Sequence, residues 1–195
     1  MKVGAFCYLA GTATFNLNIM REDCMQRTIF AVIVLFLGVF SRLLPHPPNF
    51  TPIAAIALFG GVYFDKRYAL ILPLAAMFLS DIYLGFHDLM PWVYSSFLLS
   101  GLIGLWLKHH RRPSFILGGA LASSAVFFLV TNFGVWALPQ PAYPHTLAGL
   151  AECYVVAIPF LRTEVLGTLA YTGILFLLYE AMVRVFVARK EGANI

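Results

Sequence analysis

The chain has 195 residues, 61% hydrophobic and 11% charged, with a mean hydropathy of +0.83. A soluble domain carries roughly a quarter charged residues and could not hide this much apolar side chain from water, so the composition excludes a soluble globular domain and points to the bilayer as solvent. The formal charge of +4 is not a nucleic-acid footprint: the thirteen Lys and Arg sit in short clusters between apolar runs, with no basic stripe of interleaved aromatics.

Residues 1–27 differ from the rest. The stretch MKVGAFCYLAGTATFNLNI starts basic and continues mildly apolar, as a signal peptide does, but Thr12, Thr14, Asn16 and Asn18 interrupt its core. It reads instead as a poorly ordered extension, with Met20 or Met25 as the natural start. Residues 28–190 read as one transmembrane domain and 191–195 as a tail.

Span 1 is predicted from Thr28 to Leu44, followed by the loop PHPPNFT over Pro45–Thr51. Span 2 opens with Thr51 as N-cap and Pro52 at the first helical position, where a missing N–H does no harm, and runs to Phe64. It is short for a crossing, so the Pro-rich loop is expected to descend into the protein, where non-helical backbone is tolerated if shielded from lipid. After the polar turn Asp65-Lys66-Arg67, span 3 covers Tyr68–Phe86, with Pro73 expected to kink it. Span 4 covers Pro91–Leu107, span 5 Ser114–Leu138 and span 6 Glu164–Val187. The intervening 139–163 segment reads as a helix lying on or tucked into the outer face.

With the N-terminus in the cytoplasm, eleven of the thirteen cations fall on the inner side, including Lys66-Arg67, the Lys108–Arg112 cluster and Arg189-Lys190; Arg42 and Arg162 fall outside. This asymmetry orients an all-α integral membrane bundle of six transmembrane helices, both termini cytoplasmic.

The polar residues within or beside the spans gather at the outer end. Arg42, His46 and Asn49 lie at the end of span 1 and in its loop, Asp81 in span 3, Asn132 and Trp136 in span 5, and Glu152 in the last outer segment. A charge in the bilayer costs several kcal/mol unless paired or wetted, so these residues point either to an outward-opening binding cavity or to interfacial groups with structural ion pairs. Arg42 is a partner for Asp81 or Glu164, and His46 is a ligand or a loop residue. Trp136 follows Asn132 by four positions and shares its helix face. The Pro45–Thr51 loop reads as a stiff lid over the cavity with 139–163 as the opposite wall, or as a rigid connector.

Ser96, Ser100 and Gly104 on span 4, Gly118 and Ala122 on span 5, and Ala57 and Gly61 on span 2 mark faces that permit close helix approach. Cys7, Cys24 and Cys153 form no CxxC pair. There is no HExxH, GxSxG or P-loop, so nothing calls for a cofactor, a catalytic residue or an ATP site in this chain.

The stretch RLLPHPPNFTPIAAIALFGGVYFDKRYALILPLAAMFLSDIYLGF, with LVTNFGVWAL and TLAGLAECYVVAIPF, resembles a family of short bacterial polytopic membrane proteins over residues 28–178. That family in turn resembles the substrate-binding S components of energy-coupling factor (ECF) transporters. The resemblance implies a six-helix fold in the bacterial inner membrane, a small-molecule pocket open to the outer face for a vitamin or metal ion, and docking on a transmembrane coupling subunit driven by ATPases. The alternative class is a membrane-embedded enzyme at the outer face, with His46, Asp81 or His145 as acid–base groups.

Overall fold

The computed structural model describes residues 17–64, 66–139 and 142–192. Among them lie seven α-helices and no strand: α1 (Leu17–Leu43), α2 (Ile53–Tyr63), α3 (Lys66–Leu84), α4 (Met90–Leu107), α5 (Pro113–Ala137), α6 (Leu147–Val156) and α7 (Ile158–Gly192). The helix of span 1 thus starts at Leu17, ahead of Thr28, while residues 1–16, Asp65 of the 65–67 turn and residues 193–195 lie outside the described residues.

Local chemistry sets the helix ends. Pro91 and Pro113 stand in the first turns of α4 and α5, where no N–H is needed. Gly85 adopts φ +97° and its N–H reaches Asp81 O at 2.8 Å, closing α3 in the left-handed geometry that glycine accommodates. At α6 the Thr146 side chain accepts from Gly149 N at 3.1 Å. The chain turns at Ala157 between α6 and α7 because Pro159 has no N–H to offer the Val155 carbonyl. The last helix therefore begins at Ile158 rather than Glu164. The N-cap expected of Thr51 does not form. Pro52 takes that position without a side-chain cap, and its carbonyl accepts from Ile56 N at 2.8 Å.

α2 is the centre of the bundle. Its 11 residues cover about 16 Å at ~1.5 Å each, and every one from Ile53 to Val62 is buried. A helix apolar on all sides must be enclosed on all sides, and α1, α3, α4, α5 and α7 all contact it. Small residues set its distance from α4. A Cβ on Gly61 would land on the backbone of Gly104 and Leu105, and one on Gly104 on the backbone of Leu58. Next to this crossing, the Ser123 hydroxyl of α5 donates to Ser100 Oγ of α4 at 2.6 Å, and Ser100 donates to Ser96 O at 2.9 Å. Interhelical hydrogen bonds of this kind are worth roughly 0.6–2 kcal/mol in lipid. The Gly118 and Ala122 face of α5 is exposed instead, with nothing near a Gly118 Cβ.

Contacts define two ends. At one, Tyr63 OH donates to Glu180 at 2.6 Å and the Arg111 guanidinium lies 5.3 Å from the Tyr63 ring centre. This joins the end of α2, the α4–α5 connection and the second half of α7. Phe59 packs there on Phe30, Phe64, Phe176 and Tyr179, with ring centres 5.2–5.7 Å apart. At the other end lie the 44–52 loop, the end of α3, the start of α4, the end of α5 and α6.

Met90–Leu107, Pro113–Ala137 and Ile158–Val185 are long and apolar enough to cross a membrane; Thr28–Leu43, Ile53–Tyr63, Ala69–Leu84 and Leu147–Val156 are shorter apolar helices. The outside of the bundle is apolar: Ile33, Phe36 and Phe40 of α1, Phe78 and Ile82 of α3, and Leu177 and Leu178 of α7 are at least half exposed. A soluble monomer does not carry apolar surface on this scale. The chain is an all-helical protein of membrane-spanning character.

Candidate functional site

The 44–52 loop is built around one turn. Phe50 N donates to Pro47 O at 3.0 Å and Asn49 has φ +62°. Proline at the second position and a left-handed residue at the third define a type II turn, and Asn is, after Gly, the residue that tolerates that third position. The turn is held against α7. Thr163 Oγ1 donates to Pro48 O at 2.6 Å, Phe50 packs over Gly167, and its ring centre lies 5.6 Å from that of Tyr171.

Beneath Asn49 lies a cavity of about 310 Å³, bounded by the starts of α4 and α7, the end of α5, Tyr143 and α6. Its apolar wall includes Val93, Phe127, Val156 and Phe160; its polar groups come from Asn49, Thr131, Asn132, Tyr143 and Cys153. Two of these are anchored through their own helix, Thr131 Oγ1 on Phe127 O and Asn132 Nδ2 on Phe128 O, both at 2.8 Å. Asn132 Oδ1, the Asn49 amide and the Tyr143 hydroxyl make no protein hydrogen bond among the described residues and remain available to a guest. The Cys153 thiol donates to Asn132 O at 3.4 Å, and burial pushes its pKa up, so it is a poor thiolate. No charged side chain lines the cavity among the described residues.

The sequence-predicted residues divide into three sets. Asn49 and Asn132 come together on the cavity. Arg42 and Asp81 form an ion pair away from it, Nη1 to Oδ1 2.6 Å, with side chains 14% and 1% exposed. Arg42 also donates to Met77 O at 3.1 Å and to Ser80 Oγ, and Tyr94 OH donates to Asp81 Oδ2 at 2.8 Å. Desolvated charges persist when paired; here Asp81 Oδ1 meets the guanidinium as a charge contact without a hydrogen bond, Oδ2 is hydrogen-bonded, and the cluster ties α1 to α3 and α4. Glu164, the other partner considered for Arg42, is buried and accepts from Thr168 Oγ1 at 2.9 Å.

His46, Trp136 and Glu152 do not reach the cavity. His46 is exposed, with Nδ1 2.6 Å from Leu44 O. Trp136 Nε1 donates to Pro144 O at 3.0 Å and its ring meets His145 edge-on, so it braces the segment carrying Tyr143. Glu152 is exposed on α6. Thr131, Tyr143 and Cys153 complete the polar lining; the sequence signalled Thr131 through the polar Thr131-Asn132 step in an apolar helix, and Tyr143 and Cys153 only through the 139–163 segment read as a wall. Among the described residues no three His, Cys, Asp or Glu side chains group as metal ligands would.

The chain matches no curated protein and no solved structure. Residues 22–190 match a family model described as a family of unknown function. The chain belongs to that family, DUF6580.

Proposed function

We propose that this protein is a substrate-capture subunit of the bacterial inner membrane that takes up a small, uncharged organic molecule from the outer face. Six segments cross the bilayer, α1 to α5 and α7, with α2 making one short crossing inside the bundle, while its Pro-rich lead-in is exposed from Leu44 to Pro48. α6 lies at the outer face. The cation clusters of the Tyr63–Glu180 end support an orientation with that end and both termini in the cytoplasm.

The observation that carries the reading is the 310 Å³ cavity under Asn49, apolar but for a few uncharged hydrogen-bonding groups. That is the form of a small-molecule site, typically ~300–1,000 Å³. Its lining suits a neutral organic ligand better than a metal ion, since neither carboxylate nor imidazole faces it among the described residues. The same lining favours binding over catalysis by His46, Asp81 or His145. Burial works against the thiolate at Cys153, the lining's sulfur nucleophile. As in the ECF S components that the sequence resembles, energy for release inward would come from a separate transmembrane coupling subunit with ATPases.

The test is native mass spectrometry of the detergent-purified chain beside Asn132→Ala and Asn49→Gly. A stoichiometric organic adduct should accompany the wild type, unturned over, and be lost at least tenfold more readily from Asn132→Ala. A chemically altered adduct would point to the enzyme, and equal retention by both variants would remove the cavity from consideration.

A further inference from the structure

A second cavity, of about 480 Å³, lies between α5 and α7 at the opposite end of the bundle. Its floor is apolar, from Ile116, Ala120, Leu169 and Phe176, except for the buried Thr172 hydroxyl, and it opens sideways past Leu117 and Leu177, which are 53% and 73% exposed. Gly173 lines it, and a Cβ there would meet nothing within 4 Å. Along α7 the lining runs from Leu169 to Glu180, about 16 Å at ~1.5 Å per residue. That is the depth of one leaflet's hydrocarbon, half of ~30 Å.

Charge is confined to the mouth. Arg111, Glu180 and Arg184 line it, with Tyr63 donating to Glu180 at 2.6 Å. Arg111 is set in place by its contact over the Tyr63 ring and by Val62 O at 3.4 Å from Nη2. Arg184 is exposed and makes no side-chain hydrogen bond or ion pair among the described residues. Two guanidinium groups against one carboxylate leave a mouth of net positive charge above an apolar slot.

We infer that this cleft holds one acyl chain of an anionic phospholipid, with the phosphate at Arg111 and Arg184. The slot matches the depth of a leaflet, its side opening lets a chain enter from the bilayer, and the charge left at its mouth is opposite to that of the headgroup. Glu180, tied to Tyr63, limits the attraction to lipids of low negative charge. The inference requires the chain to be embedded in a membrane, but not that the outer cavity bind anything.

The full chain, reconstituted in nanodiscs of equimolar phosphatidylglycerol and phosphatidylethanolamine and released into a mass spectrometer, reports which lipid it retains. Wild type should retain phosphatidylglycerol about fivefold or more over phosphatidylethanolamine. Arg184→Gln should lower that preference about fivefold, the ratio equivalent to ~1 kcal/mol for one surface arginine. Gly173→Leu, which fills the slot, should lose both lipids while any adduct of the outer cavity is kept. Equal retention of the two lipids by wild type, or an unchanged preference in Arg184→Gln, overturns the inference. Unaltered retention by Gly173→Leu does so too. Because Arg184 is exposed, its arm stands even if Gly173→Leu lowers the melting temperature.

Discussion

Arg42 at the end of α1 and Asp81 near the end of α3 stand 2.6 Å apart, Nη1 to Oδ1, with the carboxylate fully buried. The pair closes a cluster with Ser80, Tyr94 and the Met77 carbonyl. Of the charges that the apolar spans tolerate at this end, these two are taken up with each other.

Removing one member should therefore be worse than removing both. Asp81→Asn leaves a guanidinium without its counter-charge and should destabilise by about 3–5 kcal/mol. The double variant Arg42→Met/Asp81→Leu should recover most of that, and Tyr94→Phe, which deletes one hydrogen bond, should cost about 1–3 kcal/mol. Melting temperatures in detergent rank the three. A double variant no more stable than Asp81→Asn would mean that the pair is not a closed structural unit.

At Asn49 the backbone and the side chain have separate roles, and two substitutions separate them. Asn49→Gly keeps the left-handed turn and deletes the amide over the cavity. Asn49→Ala deletes the amide too but keeps a Cβ at φ +62°, without the short polar side chain that lets Asn tolerate that region, costing roughly 1 kcal/mol. Both should weaken binding of a copurifying ligand, while only the alanine variant lowers the melting temperature. Equal melting of the two would show that the turn relaxes freely.

The glycines make opposite predictions on two helices. Gly61→Ala and Gly104→Ala drive a Cβ into facing backbone at the α2–α4 crossing and should each lose about 1–3 kcal/mol or more, as overpacking does. Gly118→Ala faces open space and should be neutral or gain up to ~1 kcal/mol from helix propensity. Comparing melting temperatures of the three variants with wild type checks the sign at each site.

Orientation can be read chemically. In a background without Cys7, Cys24 and Cys153, single cysteines at Ser114, beside the basic α4–α5 connection, and at Ala142, exposed before α6, should label from opposite sides of sealed vesicles with an impermeant thiol reagent. Labelling of both from the same side would sink the six-crossing topology.

The sequence by itself determined the all-helical class, the membrane-like character and most helix limits. These follow from composition and from where the apolar runs end, which act within a turn or two of chain; the first and last helices start at Leu17 and Ile158, ahead of the expected Thr28 and Glu164. It also showed that the polar groups gather at one end. Which of them meet was decided by the tertiary structure. Hydrophobic periodicity does not mark the inner face of α2, α4 or α5; the spacing of small residues did so on α2 and α4, where Ala57, Gly61, Ser96, Ser100 and Gly104 are buried, but on α5 it pointed to Gly118 and Ala122, which are exposed. Asn132 faces the cavity while Trp136, one turn later, holds the Pro144 carbonyl outside it. Arg42 had two acidic candidates in the sequence, and the packing of α1 on α3 chose Asp81 over Glu164. Tyr143 and Cys153 belong to the cavity because α6 folds back over the end of α5, a placement set by contacts between residues distant in sequence.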